Sequence, residues 1–520
     1  MENTSWQIPS CGILLLNFSV RSADSITDMK KIRRQDIPII IIIGLGIIFR
    51  IGQFLYNRSL TEGEAALALN IIHRSYPELL KPLDYVQAAP IGFLYIQRFF
   101  FNIFGNNDYS LRIFPLIAGI SSIFLFYLLT RKLLSRNAKI FALFIFVVNN
   151  ELIYFASEAK QYSSDVTICL LLVLFILNIV KNFHPSKLIF LGIIGAIALW
   201  FSHPSIFVFW AGIIILVIQA YKNKRINYLS FILAIIPYII SFGIDYYVNL
   251  RATGQNQELL AYWEKSFMPL PPQSLTDLKW FAYVFLRTFK NPLGFSIYEL
   301  LFAVLSFLVG LVCLWKRNRY ELAVLLLPVI LALFASGLKK FPFEGRVILF
   351  IIPMMTLLVA YGLDYIMKAV SESSRLLGIC LVSLPLLVPG VNAFHRLFVP
   401  RAPEELRPVL HYVRNHKKDG DIIYLYYASY NAFLYYSERY GFKIEECIVG
   451  TYSWDDWTKY YSELEKFKGK PRVWFLFSHV IKTYGVDEEK LFITYLNMLG
   501  KRIDEFRAPG ATAYLYDLSD

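Results

Sequence analysis

The chain has 520 residues, 56% of them hydrophobic and only 18% charged, with a mean hydropathy of +0.47. That balance excludes an ordinary soluble protein and leaves most of the length for membrane spans of about 20 apolar residues each. The formal net charge of +13 does not point to nucleic acid, because Lys and Arg fall in short clusters between apolar runs, as in cytoplasmic loops facing anionic lipid.

In chain order, residues 1–28 hold one apolar patch, Cys11–Phe18, which is too short to span and has no basic region before it as a signal peptide would. Met29, followed by KKIRR and an uninterrupted apolar run, resembles a natural start, so residues 1–28 are expected to be disordered or to precede the true start. The first span is expected at Asp36–Tyr56. Lys30, Lys31, Arg33 and Arg34 place its N-terminal side in the cytoplasm, which makes the loop 57–110 external. Within that loop Ile91–Phe104 is apolar but interrupted by Gln97 and Arg98, and is expected to lie in the interface.

Further spans are expected at Leu111–Thr130, Ile140–Phe155, Val166–Val180, Leu188–Phe201, Ser205–Ala220, Tyr228–Asn249, Ser296–Trp315, Leu322–Gly337, Val347–Tyr365 and Leu376–Phe398. The total is about eleven, with basic clusters on alternate connections. The loop 250–295, with the turn-rich PLPPQS at Pro269–Ser274, is long enough to expect a role for it. After Pro400 apolar runs of strand length alternate with amphipathic helical stretches, which indicates a small α/β domain with a largely parallel sheet. The expected fold is therefore a polytopic α-helical membrane region, 29–399, followed by an extracytoplasmic α/β domain, 400–520. The five cysteines, Cys11, Cys169, Cys313, Cys380 and Cys447, have neither disulfide nor metal-site spacing.

The chemistry is expected where polar residues collect on the external side. Glu62 and Glu64 follow the first span and precede a helix-prone segment, and Asp84 and Gln87 come later in the same loop. The stretch FASEAKQYSSD brings Glu158, Lys160, Tyr162 and Asp165 to another span end. Acids in a charged pocket at the lipid boundary are the setting in which a carboxylate can act as a base. Arg346 enters a late span after Gly345, where a fixed cation would stabilise a departing phosphate; Lys339 and Lys340 nearby are explained by snorkelling. His203, at an HP turn, reads as a cap, and with His73 it makes no metal spacing.

The order of these motifs resembles the GT-C glycosyltransferases, in the bacterial branch related to protein O-mannosyltransferases and aminoarabinose (lipid A) transferases. The resemblance is carried by the acidic motif of the first loop, QAAPIGF, Arg112 and Pro115 of LRIFP, KQYSSD and FEGRVILFIIP. This branch has an Asp-Glu pair at the first motif; aligned on Glu64-Ala65 and LALNI, the Asp position is Gly63 here. Either Glu62 substitutes for the missing acid, or this copy is impaired or has another acceptor.

The resemblance implies transfer of a sugar from a polyprenyl-phosphate donor to a glycan, lipid or protein acceptor on the outer side of the inner membrane, with inversion. Glu64 or Glu62 would be the base, Lys160 and Arg346 the phosphate ligands, and Glu158, Tyr162, Asp165, Gln87 and Asp84 would line the substrates. No cofactor is certain. Some relatives hold a divalent cation on the acidic motif, here Glu62 and Glu64, and others do not. A transporter or flippase is disfavoured because such proteins place charges on broken helices at mid-membrane and show related halves. A non-catalytic scaffold presenting the C-terminal domain is the other alternative. That domain lacks a Gly-rich phosphate loop or nucleophile elbow, and is expected either to bind or position an acceptor or to serve as a stabilising cap.

Overall fold

The computed structural model describes residues 36–224, 227–371, 374–453, 456–483 and 485–519. Residues 1–28 and the Lys30–Arg34 cluster lie outside the described residues.

The described chain opens on α1 (Ile37–Tyr56) and a first loop carrying α2 (Glu62–His73) and α3 (Ile91–Phe104). The bundle continues with α4 (Ile113–Leu133), α5 (Arg136–Val148), α6 (Asn150–Phe155), α7 (Tyr162–Lys181), α8 (Pro185–Leu199), α9 (Ser205–Lys222) and α10 (Tyr228–Asp245). A long connection holds α11 (Arg251–Gln255), α12 (Gln257–Tyr262) and the amphipathic α13 (Leu275–Lys290). The bundle closes with α14 (Ile297–Arg317), α15 (Arg319–Gly337), α16 (Ile352–Ser371) and α17 (Arg375–Phe398).

Among the described residues nine helices are long and apolar enough to cross a membrane, which makes this a multi-pass membrane protein. The expectation of about eleven counted two stretches that fall short. The run 140–155 breaks at Asn149, whose side chain accepts the Leu152 N–H at 2.8 Å and donates to the carbonyls of Pro292 and Leu293. A residue that caps a new helix and pins a distant loop cannot also continue the old one. The run 188–201 forms the 15-residue α8, which ends at Leu199 before the Ser202–Pro204 turn.

The central helix is α16, preceded by the 3₁₀ segment Gly345–Ile351; 89% of its apolar stretch is buried, against 33% for the peripheral α1 and α14. It crosses α14 at backbone distance. A Cβ on Gly310 would lie 1.9 Å from the Leu358 carbonyl oxygen, and one on Gly362 1.8 Å from that of Ser306. Only glycine permits this approach, the usual means of tight packing where lipid gives helices no hydrophobic reason to associate.

The C-terminal domain begins with α18 (Leu406–His416) and contains β1 (Ile422–Leu425), α19 (Tyr430–Ser437), β2 (Cys447–Val449), α20 (Trp457–Leu464), β3 (Lys470–Ser478), β4 (Lys482–Thr483), β5 (Val486–Asp487), α21 (Glu488–Leu499), β6 (Lys501–Ala508) and β7 (Ala511–Leu518). The sheet order is β2-β1-β3-β7-β6. Its first half is parallel, with Ile423 opposite Cys447 and Trp474; β7 and β6 run antiparallel to β3 and to each other. The sheet is therefore mixed, and not largely parallel as expected. The stretch KRIDEFRA, polar because it forms an edge, does not read as a strand and conceals the hairpin.

This domain is docked on the first loop. Apolar residues of α2, such as Leu67 and Ile71, share one buried cluster with Leu406, Val409, Phe433 and Trp474. Around it runs a polar seam. Asp108 is buried and accepts from Tyr435 (3.1 Å), Tyr436 (2.7 Å) and Arg439 (3.0 Å), with Arg407 at 3.2 Å. Glu405 accepts the Ser59 N–H and hydroxyl, and Gln53 exchanges hydrogen bonds with the backbone of Arg401.

Candidate active site

Three segments meet where the first loop, the α6–α7 turn and the start of α16 converge. Helix α2 begins with a capping box: the Thr61 hydroxyl accepts the Glu64 N–H, and the Glu64 carboxylate accepts the Thr61 N–H at 3.0 Å. The same carboxylate is fully buried, and is paired with Arg58 and with Arg112, whose Nη2 lies 3.1 Å from Oε1. Burial opposes its ionisation, but the guanidiniums of Arg112 and Arg58 outweigh that and hold the Glu64 carboxyl at about 2. Glu64 is thus an organiser of positive charge with little affinity for a proton.

The turn between α6 and α7 supplies Glu158 and Lys160, both buried. Glu158 lies 4.0 Å from Arg58 Nη2, and burial together with the charge of Glu64 pushes its carboxyl up to about 7. Lys160 Nζ donates to the Gln87 side-chain oxygen. Burial, and then the facing charge of Arg346, lower the Lys160 ammonium to about 7. Gly63 is the close neighbour of this lysine: a Cβ built there would be 4.0 Å from Lys160 Cε. A side chain at position 63 would therefore face Lys160, which here has no ion pair among the described residues.

Arg346 follows Gly345, whose φ of +48° lies in the left-handed region that glycine enters freely. Its guanidinium sits 5.9 Å from the ring centroids of both Tyr162 and Trp263, a cation–π arrangement on two sides. The preceding residue, Glu344, is bonded by Arg287 of α13 and by Ser266, so the long connection 250–295, expected to have a role, holds the segment that carries Arg346.

Glu62, two residues before Glu64, faces the other way. Its oxygens accept the backbone N–H groups of Asn431 (3.1 Å) and Ala432 (2.9 Å), capping the N-terminus of α19. Burial between loop and domain pushes its carboxyl up to about 7.

The structure thus brings together Glu64, Glu158, Lys160, Gln87, Tyr162 and Arg346, with Glu62 at the domain junction. Asp165 lies one turn further along α7, buried beside Ser202. Asp84 is not in the cluster: it is mostly exposed and pairs with Arg74 of its own loop at 2.7 Å. Glu62 and Glu64 point apart and do not form a shared ligand set for a divalent cation. Among the described residues no three His, Cys, Asp or Glu side chains group as metal ligands. The His203 side chain caps no helix among the described residues; its Nε2 lies 3.4 Å from Asn249 Nδ2 and 3.9 Å from Asp245, and burial lowers its ring to about 4.

The sequence reading did not select Arg58, Arg287, Glu404 or His479, and quoted Arg112 only as part of a motif. Arg58 and Arg112 carry one usable signal, since each is an arginine beside the apolar end of a span on the side expected to be external. The other three act through partners remote in sequence, such as Glu344 for Arg287, and no local pattern marks them.

Residues 88–242 match the model of the dolichyl-phosphate-mannose-protein mannosyltransferase family. No curated protein matches the chain. Among solved structures, ArnT from Cupriavidus metallidurans bound to undecaprenyl phosphate has a TM-score of 0.51 at 10% identity, covering 92% of this chain and 97% of ArnT. The same protein in the apo state gives 0.50 at 10% identity, with 92% and 97% covered. An Archaeoglobus fulgidus oligosaccharyltransferase tethered to an acceptor peptide gives 0.49 at 10% identity, covering 94% of this chain and 74% of that one. At such identity the ArnT likeness is one of fold.

Proposed function

We propose, from the premise that this chain is a GT-C superfamily glycosyltransferase related to ArnT and the protein O-mannosyltransferases, that it moves a sugar from a polyprenyl-phosphate carrier to a hydroxyl acceptor at the extracytoplasmic face, with inversion. The observation that carries this reading is the pair of cations, buried Lys160 and half-buried Arg346, neither in an ion pair among the described residues. Two cations without a direct ion pair, at the ends of apolar helices, suit a lipid-borne phosphate, whose charge grows as the carbon–oxygen bond to the sugar breaks. The arginine pair around Glu64 sets the field behind them, and Tyr162 and Trp263 fix the direction of Arg346.

The acceptor side needs a group that takes a proton near neutral pH. Glu64, held at about 2, does not suit that task. Glu62, pushed to about 7 and facing the domain junction, suits it better. Its oxygens bond the backbone amides of Asn431 and Ala432 and the Asn431 side chain, and a carboxylate has about four acceptor directions in all. In the proposed step the acceptor oxygen bonds to the anomeric carbon as its proton passes to Glu62, and the carrier phosphate leaves with the electron pair. The C-terminal domain, which roofs the loop, would bind or position the acceptor.

Binding of undecaprenyl phosphate to the protein in nanodiscs tests the donor half. Lys160→Ala and Arg346→Ala are each expected to weaken it about tenfold or more, equivalent to about 1.4 kcal/mol; unchanged affinity in both rejects the phosphate site. Glu62→Gln is expected to abolish sugar transfer while leaving carrier binding intact.

A further inference from the structure

His479 stands at the end of β3, in the C-terminal domain, with φ of +52°. Non-glycine residues adopt that conformation where surrounding contacts hold them in place. Its side chain is 47% exposed, and Nδ1 lies 2.7 Å from Glu404 Oε1. The other oxygen of the same carboxylate accepts the backbone N–H of Glu62 at 2.8 Å. One carboxylate therefore joins the imidazole of the C-terminal domain to the residue read above as the base. Nε2 of His479 has no hydrogen-bond partner among the described residues.

The charged groups facing this imidazole come from three directions. Glu404 precedes α18, Glu62 opens α2, and Arg346 opens the segment leading into α16. Burial and Arg346 oppose the imidazolium, but the hydrogen bond and charge of Glu404, with the charge of Glu62, overcome them and raise the ring above its ordinary range. In return the imidazolium favours the ionised form of Glu62.

We propose that His479, oriented by Glu404, is a positioning residue that supplies the counter-cation of Glu62 and keeps that carboxylate ready to accept the acceptor's proton. The C-terminal domain thereby takes part in the acid–base chemistry as well as in holding the acceptor. The proposal rests on the reading of Glu62 as the base.

The test is the pH dependence of kcat at saturating carrier-linked sugar, in His479→Asn and in Glu404→Gln. Asn tolerates the left-handed backbone and carries no charge, while Glu404→Gln weakens the imidazolium without touching residue 479. In both variants the acid limb is expected to move up by about one unit, a tenfold loss on the acid side, with the rate recovered at higher pH. A rate lowered equally at every pH means that His479 only braces the junction, and overturns the proposal, as does an unchanged profile. Glu62→Gln separates the two readings. If it retains transfer, the base assignment fails. If it abolishes transfer while the two other variants leave the limb in place, only the role of His479 fails.

Discussion

Glu64 Oε1 accepts the backbone N–H of Ala159 at 2.9 Å, so the carboxylate that caps α2 also ties the first loop to the turn carrying Glu158 and Lys160. That bond, the capping box and the two arginines make Glu64 a structural centre. Removing one partner from a buried charge cluster typically costs 3–5 kcal/mol. Glu64→Ala is therefore expected to lower thermal stability strongly and to reduce folded yield, with Glu64→Gln intermediate. A Glu64→Gln protein with wild-type melting and lost turnover would instead make Glu64 the base. The sign of the pH effect agrees with this role: a carboxyl held at about 2 in the fold contributes stability above its unfolded pKa, and loses it as pH falls toward 2.

The buried ammonium of Lys160 is expected to give the proposed transferase a basic limb. With its pKa lowered to about 7, free enzyme loses this cation as pH rises past neutrality. The donor kcat/KM is expected to fall above pH 7, whereas kcat, measured with the phosphate bound, should hold to higher pH. Arg346→Ala removes a repelling charge and should shift the kcat/KM limb upward, even as the rate drops. A limb that stays fixed in Arg346→Ala would separate the two cations.

Gly63→Asp places a carboxylate beside Lys160. A facing anion raises an ammonium's pKa and competes with phosphate, so the expected outcome is a donor KM increased several-fold and a basic limb shifted upward. An acid in the first turn of α2 also suits the helix dipole by a few tenths of a kcal/mol, so stability should not fall. Donor titrations at pH 7 and 9 check both effects.

Asp108 is the seam's most heavily bonded acid, with two tyrosines and two arginines around it. Asp108→Ala leaves these partners without their acceptor, and should cost about 3 kcal/mol or more of docking stability. Limited proteolysis near Pro400 is expected to release the C-terminal domain faster in this variant. Equal release rates would show that the apolar cluster alone holds the domain.

The apolar runs and the outline of the site were legible because both follow from one-dimensional rules: span length for the helices, and polar residues gathered at span ends for the cluster of Glu64, Glu158, Lys160 and Arg346. The break at Asn149 was not legible, since it depends on carbonyls at residues 292 and 293. The edge strand Lys501–Ala508 was hidden by its polarity. The opposite orientations of Glu62 and Glu64 also escaped the sequence, because α2 is sandwiched between two regions that meet only in the folded chain. Without those contacts both glutamates read as equivalent loop acids.

The carboxylate that starts α19 is contributed from a residue more than three hundred positions earlier. Because synthesis proceeds from the N-terminus, the first loop can be in place before Asn431 and Ala432 leave the ribosome. It then serves as a template against which the later domain settles. A domain expressed by itself would lack that guide, with two backbone amides at the head of its helix open to water.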